Sequence, residues 1–201
     1  FGDLAGCGLH VHVSLADAAG RNLFAADDPA GTPLLRQGIA GLAATMAESM
    51  AVFAPNANSY RRFRRLSYAP VAATWGVNNR SVGFRVPAGP PDSRHVEHRI
   101  CGADANPYLA IATVRAAPPH GRRARLARGP PVSGNGYELP PDPRVPLDWH
   151  AALAAAARST FLNESLGADF MNVFMAIKRA ECERFSAEPT ALDHAWYLKQ
   201  T

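Results

Sequence analysis

The chain has 201 residues, enough for one sizeable hydrophobic core but too few for two full domains. Apolar residues make up 47% of it and charged residues 19%, a balance that excludes disordered and collagen-like chains. Its formal charge of +4 permits an anionic partner. No apolar run approaches the roughly 18 residues of a membrane-spanning helix, so we expect no membrane partner.

The cysteines and the basic residues further restrict the class of protein to which the chain can belong. Cys7, Cys101 and Cys182 are too far apart for a disulfide framework or a CxxC zinc site, which favours a reducing compartment, and we expect a cytoplasmic protein. Arginines cluster at 61–65 and 122–125, a pattern that a nucleic-acid binder would also show. Because acidic residues are interspersed and no basic run is long, we predict no nucleic-acid partner and keep such a binder only as an alternative.

The first strand and the first helix are predicted from two different periodicities. Residues 9–15 alternate strictly between apolar and polar side chains, which predicts a strand. The polar face of that strand carries His10, His12 and Ser14. After a turn-rich stretch, apolar residues at helical spacing predict a helix over 33–54 whose Leu and Met side chains form core.

Two further alternating runs predict a hairpin. They cover residues 81–86 and 94–100, and the segment between them is rich in Pro and Gly. The polar face of the second run carries His95, Glu97 and Arg99. Arg85 on the first run is then expected near Glu97. Gly83, without a side chain, is expected to leave room for another group to approach.

The rest of the chain is predicted to be mainly helical. Four helices are expected at 108–117, 149–163, 167–185 and 191–198. Pro118 and Pro119 are expected to end the first of these, because proline removes a backbone donor. Residues 118–147 are rich in Pro, Gly and Arg without periodicity, which indicates a surface excursion. Strands followed by helices predict an α+β fold, a mainly antiparallel sheet backed by helices.

Histidines, a glutamate and arginines on neighbouring strand faces allow two interpretations. In one, Glu97 is neutralised in a network of arginines and has a structural role only. In the other, His10 and Glu97 hold a hard divalent ion while arginines bind phosphate oxygens. Two protein ligands suit Mg²⁺, which keeps several waters and binds substrate phosphates.

Five segments carry motifs in a fixed order. They are GCGLHVHVSL at 6–15, NSYRR at 58–62, WGVNNRSVGFRVP at 75–87, VEHR at 96–99 and DANPYL at 104–109. In this order they resemble the catalytic domain of the glutamine synthetase family. The resemblance is close from about Gly6 to Ala117, is lost through the excursion, and resumes more loosely from Leu147.

The resemblance implies an ATP-dependent ligase that acts through γ-glutamyl phosphate, with Mg²⁺ or Mn²⁺ bridging the phosphates. It implies roles for nine residues of this chain. His10 and Glu97 match metal ligands, His12 and Ser14 match ATP contacts, and Gly6, Arg62 and Arg99 match positions that hold glutamate. Arg80 and Arg85 match arginines that bind the transferring phosphate and the nucleotide, so we assign Arg80 to catalysis and Arg85 to ATP binding.

Tyr68 is the departure from the family pattern that bears on the substrate. In the ammonia-using enzyme, the residue six positions after the glutamate-binding arginine is acidic and helps to bind and deprotonate ammonium. Counting from Arg62 gives Tyr68, which precedes Ala69 and Pro70. A phenol is a poor base at neutral pH, and its ring suits an alkyl amine. Together with TWGVNNR at 74–80 and EHR at 97–99, Tyr68 makes the chain resemble γ-glutamylputrescine and γ-glutamylpolyamine synthetases. We therefore expect a catalytic role for Tyr68 and an organic amine as acceptor.

The family's domain organisation implies that residues 1–201 are only part of an enzyme. The chain opens on Phe1 instead of Met, and the family's amino-terminal domain and first metal-site strands would precede it. The resemblance implies a homo-oligomeric ring, a dodecamer, with active sites between subunits. We therefore expect the isolated segment to be inactive. Two alternatives remain open, an ammonia-using glutamine synthetase and a non-catalytic remnant or regulatory ring subunit.

Overall fold

The computed structural model describes residues 6–64, 67–127 and 129–198. The expectation drawn from Phe1 falls on residues outside these ranges. The strands and helices follow one another as β1 (Val11–Val13), α1 (Pro33–Phe53), α2 (Ala57–Tyr60), β2 (Trp75–Val77), β3 (Phe84–Val86), β4 (Val96–His98), α3 (Pro107–Arg123), α4 (Trp149–Ala157), α5 (Thr160–Leu166), α6 (Ala168–Ala187) and α7 (Ala191–Tyr197). Across these ranges, no helix is long and apolar enough to cross a membrane.

The four strands form one open sheet in the order β1-β4-β3-β2. β4 pairs antiparallel with both β1 and β3, which confirms the predicted hairpin and the α+β class. The alternation pattern does not predict β2, which pairs in parallel with β3. Parallel neighbours usually need a long crossover. Here residues 78–83 suffice because each strand is only three residues long.

α1 forms the centre of the core, as its Leu and Met stripe predicts. Thr32 caps it by accepting a hydrogen bond from the backbone N–H of Leu35, and Pro33 occupies the first turn. Leu35, Ile39 and Met46 are fully buried. The helix packs against α3, α4 and the sheet, so it supports the inner face of the strands that carry the polar residues.

The backbones of α1 and α3 meet at two glycines. A methyl group on Gly41 would collide with the carbonyl oxygen of Ala117 and lie 2.8 Å from the backbone nitrogen of Gly121. A methyl group on Gly121 would lie 2.6 Å from the backbone nitrogen of Gly41. Only residues without a side chain permit this approach.

Gly41→Ala should therefore destabilise the natural protein. We expect a loss of about 3 kcal/mol in the free energy of unfolding, because backbone atoms of α3 cannot move aside as a flexible side chain would. Thermal unfolding would measure the loss. Gly129→Ala is the matched control, since no described atom beyond the chain neighbours lies within 4 Å of a methyl group there. Equal thermal midpoints for the two variants would contradict this account of the helix crossing.

The prediction that Pro118 and Pro119 end a helix is wrong. α3 continues through both prolines to Arg123. Because Pro118 and Pro119 have no backbone N–H, two carbonyls of the preceding turn lose their helical donors. Packing against α1 nevertheless keeps the helix intact. Pro118 Cβ lies 3.4 Å from the position of a Cβ on Gly38, so Pro118 is part of the α1–α3 interface, while Pro119 is exposed.

The single helix predicted at 149–163 is also wrong. Two helices, α4 and α5, replace it, separated at Arg158 and Ser159. The Ser159 side chain accepts a hydrogen bond from the backbone N–H of Leu162 at 2.9 Å and so caps α5. Serine favours such a cap over a position inside a helix, because its hydroxyl competes for backbone hydrogen bonds.

Part of the predicted surface excursion extends the sheet region. Val132 donates its backbone N–H to the carbonyl of Trp75 at 2.8 Å, and Trp75 Nε1 donates to the carbonyl of Gly129 at 2.8 Å. Asn79 Nδ2 donates to the carbonyl of Gly134 at 2.8 Å. A Cβ on Gly76 would lie 2.9 Å from the Val132 carbonyl. Residues 129–137, which we call the edge segment, therefore cover the free side of β2.

Candidate active site

The sheet register gathers the predicted polar residues around one carboxylate. In the β1–β4 pair, His12 lies opposite Glu97, and in the β3–β4 pair Arg85 lies opposite Glu97. Residues paired across strands share a face. Glu97 is only 4% exposed, and its Oε2 lies 3.2 Å from Arg85 Nε. The predicted proximity of Arg85 and Glu97 is confirmed.

His10 lies on the same face, and its Nδ1 is 3.0 Å from Glu97 Oε1. Desolvation by burial lowers the pKa of His10, the charge of Arg99 lowers it further, and Glu97 only partly opposes these effects. At neutral pH the imidazole is therefore uncharged. An uncharged imidazole is the form that binds a metal ion.

His12 is held by a histidine to which sequence reasoning assigns no role. His12 Nδ1 lies 2.9 Å from His95 Nε2, and His95 Nδ1 lies 2.7 Å from the carbonyl of Ser93. Because a carbonyl only accepts, His95 Nδ1 donates to it, and in the tautomer that leaves Nε2 bare, His95 Nε2 accepts from His12 Nδ1. His12 Nε2 is then an acceptor that faces the site. The alternation along 94–100 does place His95 on this face.

Arg99 lies beside Glu97 and is as deeply buried. Its Nη1 donates to Glu97 Oε1 at 3.0 Å, and its backbone N–H donates to the carbonyl of Gly83 at 3.0 Å. Gly83 leaves room for an approaching group, as predicted, and the protein's own backbone occupies that space. A Cβ there would lie 3.1 Å from the carbonyl oxygen of Ala72.

Arg62 enters the site from the segment after α2. Its Nη2 donates to the carbonyl of Ile100, and its guanidinium lies 4.8 Å from the centre of the Phe63 ring. Burial lowers the pKa of Arg62. A Cβ on Gly6 would lie 3.0 Å from Arg62 Cγ, and one on Gly8 would lie 3.2 Å from His10 Nε2. The two glycines make space for these side chains.

Three predicted residues lie apart from this group. Ser14 is exposed one residue beyond β1, and Arg80 is exposed in the turn after β2. Within the described ranges, neither side chain joins the ion pairs of Glu97. Tyr68 is 65% exposed and has a left-handed backbone, with φ of 57°. Its ring faces solvent, where a substrate could reach it.

The cluster has an excess of positive charge. One carboxylate, Glu97, faces the guanidiniums of Arg85 and Arg99, while His10 is neutral. Such a group attracts anions, and planar guanidiniums match carboxylate and phosphate oxygens. It is therefore suited to binding phosphate or carboxylate groups.

The same residues fit a divalent ion. Among the described residues, no group donates a hydrogen bond to the buried Glu97 Oε2, and His10 is neutral. In the part of the chain that the structure describes, no group of three or more His, Cys, Asp or Glu could hold an ion. An ion at His10 and Glu97 would thus need further ligands from substrate, water or residues beyond this group, as Mg²⁺ commonly does.

Comparison with known proteins identifies the family. Residues 1–197 match the family model described as glutamine synthetase, catalytic domain. The chain belongs to the glutamine synthetase family. The resemblance carried by the five motifs is thereby confirmed.

Relatives within the glutamine synthetase family include ligases for organic amines. The chain is 39% identical to the γ-glutamylputrescine synthetase PuuA of Escherichia coli K12, over 97% of this chain and 41% of that protein. It is 35% identical to the γ-glutamylethanolamide synthetase GlnA4 of Streptomyces coelicolor, over 100% and 42%. The solved structure of a GmaS/ADP complex superposes with a TM-score of 0.86 at 29% identity, over 98% and 47%. The chain thus spans less than half the length of these relatives.

Proposed function

We propose that residues 1–201 form the carboxy-terminal part of the catalytic domain of an ATP-dependent ligase. In this proposal the enzyme joins the γ-carboxylate of glutamate to an amine. The observation that carries it is the buried Glu97 carboxylate, 3.0 Å from His10 Nδ1 and 3.2 Å from Arg85 Nε, on one sheet face. The named activities of PuuA and GlnA4 support the reaction class.

The proposed reaction has two transfers. A γ-carboxylate oxygen of glutamate attacks the γ-phosphorus of ATP, and the bond to ADP breaks. The amine nitrogen then attacks the γ-carbonyl carbon, phosphate leaves with the bonding electrons, and the nitrogen loses a proton. Both steps build negative charge on phosphate oxygens, which cationic side chains stabilise.

Each residue of the site has a proposed part in these steps. Arg62 and Arg99 bind glutamate, with Gly6 packed against Arg62. Arg85 and the exposed Arg80 bind the phosphates, Arg80 at the transferring group. The ATP contacts proposed for the first strand are His12 and Ser14. His10 and Glu97 would hold Mg²⁺ or Mn²⁺, which when bound neutralises phosphate charge.

We also propose that the active protein is a homo-oligomeric ring, as the family resemblance implies. Large apolar side chains stand exposed on α6 and α7, among them Val173, Ile177 and Trp196. Exposed apolar surface of this kind marks contacts with other chains. Another copy of this protein is the partner that a ring requires.

Tyr68 is the basis for proposing an organic amine as the acceptor, and within that class we propose polyamines such as putrescine. The exposed phenol can contact the alkyl part of an amine. A phenol lacks the carboxylate group that would attract bare ammonium. The residue therefore favours an acceptor that carries an alkyl chain.

We expect the natural protein, with Mg²⁺, ATP and glutamate, to release phosphate at least about tenfold more efficiently with putrescine or ethanolamine than with ammonium. Tyr68→Glu should shift that preference towards ammonium by supplying a charged acceptor. Tyr108→Glu is the matched control, because Tyr108 is also exposed but lies on α3. Phosphate release that is fastest with ammonium in the unaltered protein would refute the organic acceptor.

A further inference from the structure

Tyr137 connects the edge segment to the loop that carries Tyr68. It lies in a short 3-10 turn, Gly136–Glu138, and its backbone N–H donates to the Asn135 side chain at 3.1 Å. The side chain is 6% exposed. Its hydroxyl donates to the carbonyl of Ala69 at 3.3 Å, in a buried environment. A residue of the aperiodic excursion therefore contacts the residue next to Tyr68.

The backbone of Tyr68 needs support from its surroundings. Its φ of 57° lies in the left-handed region, which a bulky residue rarely adopts. The ring is too exposed to fix this conformation by packing. On the side of Ser67, the Ser67 Oγ accepts a hydrogen bond from the backbone N–H of Ala69 at 3.3 Å and donates to the carbonyl of Arg62 at 2.8 Å. Tyr137 provides the contacts on the other side.

The Tyr137 hydroxyl interacts with the backbone of Tyr68 and with the carbonyl of the next residue, Ala69. Burial raises the pKa of Tyr137, while the charge of Arg99 and a hydrogen bond from the Tyr68 backbone oppose that rise. The phenol is thus protonated at neutral pH. It can accept the Tyr68 N–H and at the same time donate to the Ala69 carbonyl.

The edge segment ties Tyr137 to the sheet that carries Glu97. The Gly136 backbone N–H donates to Ser81 Oγ at 2.7 Å, just before β3. Together with the bonds from Val132 and Asn79, this fixes the turn relative to β2 and β3. Tyr137 is therefore placed by the same strands that place Arg85.

We propose that Tyr137 is a positioning residue for the acceptor amine. The Tyr137 hydroxyl holds Tyr68 in its left-handed conformation, with the Tyr68 ring towards the incoming substrate. The proposal rests on the proposed function, because it assumes that Tyr68 contacts the amine. In this proposal, residues 129–137 set the distance between the loop that carries Tyr68 and the sheet face that carries Arg85.

Tyr137→Phe in the natural protein keeps the ring and removes only the hydroxyl. We expect the KM for putrescine to rise about tenfold, the effect of one lost buried hydrogen bond, while the KM for ATP stays within about twofold. Tyr60→Phe is the matched control, since Tyr60 is partly buried and its hydroxyl donates to the Met50 carbonyl at 3.5 Å. A Tyr137→Phe variant with the amine KM of Tyr60→Phe would overturn the proposal.

Hydrogen–deuterium exchange separates failure of this proposal from failure of the proposed function. The backbone amides of Ser67 to Ala69 should exchange faster in Tyr137→Phe than in the unaltered protein or in Tyr60→Phe. Unchanged exchange would overturn the role of Tyr137 whatever the substrate proves to be. Faster exchange in a protein that ligates no amine would instead refute the proposed function and, with it, the acceptor role.

Discussion

Glu97→Ala in the natural protein should abolish metal-dependent phosphate release, with a loss of about 1,000-fold or more. Two effects act together. The variant loses a proposed metal ligand, and metal ions contribute several kcal/mol to charge stabilisation in phosphoryl transfer. It also leaves the half-buried Arg85 and the buried Arg99 without the carboxylate that faces them at 3.2 Å and 3.0 Å. Steady-state phosphate release with varied Mg²⁺ or Mn²⁺ would measure the loss.

A second variant separates the chemistry from the fold. Removing one partner of a buried ion pair costs about 3–5 kcal/mol, so Glu97→Ala could lose activity through unfolding. Glu97→Gln keeps the side-chain shape and should retain the thermal midpoint more closely, yet remain inactive. Glu164→Ala, at an exposed position on α5, is the control for a lost carboxylate. Metal-dependent activity in Glu97→Gln equal to that of the unaltered protein would contradict the metal assignment.

Arg62→Lys should raise the KM for glutamate by about 100-fold with little change in the KM for ATP. Lysine keeps the charge but cannot present two parallel N–H groups to a carboxylate, and a buried charged contact that is lost costs about 2–5 kcal/mol. Arg62 is also fixed by its hydrogen bond to Ile100 and its contact with Phe63, which lysine would not reproduce. Initial rates at varied glutamate would measure the change.

The neighbouring residue offers a close control for Arg62. Arg61 is exposed, and its Nη1 donates to the Asn58 side chain at 3.3 Å. Arg61→Lys should therefore leave the KM for glutamate unchanged. If Arg61→Lys and Arg62→Lys had the same KM for glutamate, the assignment of Arg62 to substrate binding would be wrong.

The parts of the site that lie on strands can be predicted from the sequence. Strict alternation fixes which side chains share a face, so it places His10 with His12 on one strand and Glu97 on the polar face of another. The position of Arg85 near Glu97 follows from the hairpin. The roles of these residues come from the family resemblance and not from the alternation.

Contacts that depend on distant, aperiodic segments cannot be predicted in this way. Residues 129–137 have no periodicity, so nothing local indicates that Tyr137 reaches Ala69. β2 is not predicted for a related reason, because it pairs in parallel with β3 across a short connection. α3 continues through Pro118 because packing against Gly38 and Gly41 outweighs local propensity.

The product of the reaction tests the central claim most directly. The natural protein would be incubated with Mg²⁺, ATP, glutamate and putrescine, and the products identified by mass spectrometry alongside phosphate and ADP. We predict a γ-glutamyl amide, with a mass equal to glutamate plus amine less one water, formed in equal amounts with ADP and phosphate. ATP cleavage without amide, or amide formation from ammonium alone, would contradict a ligase that joins glutamate to an organic amine.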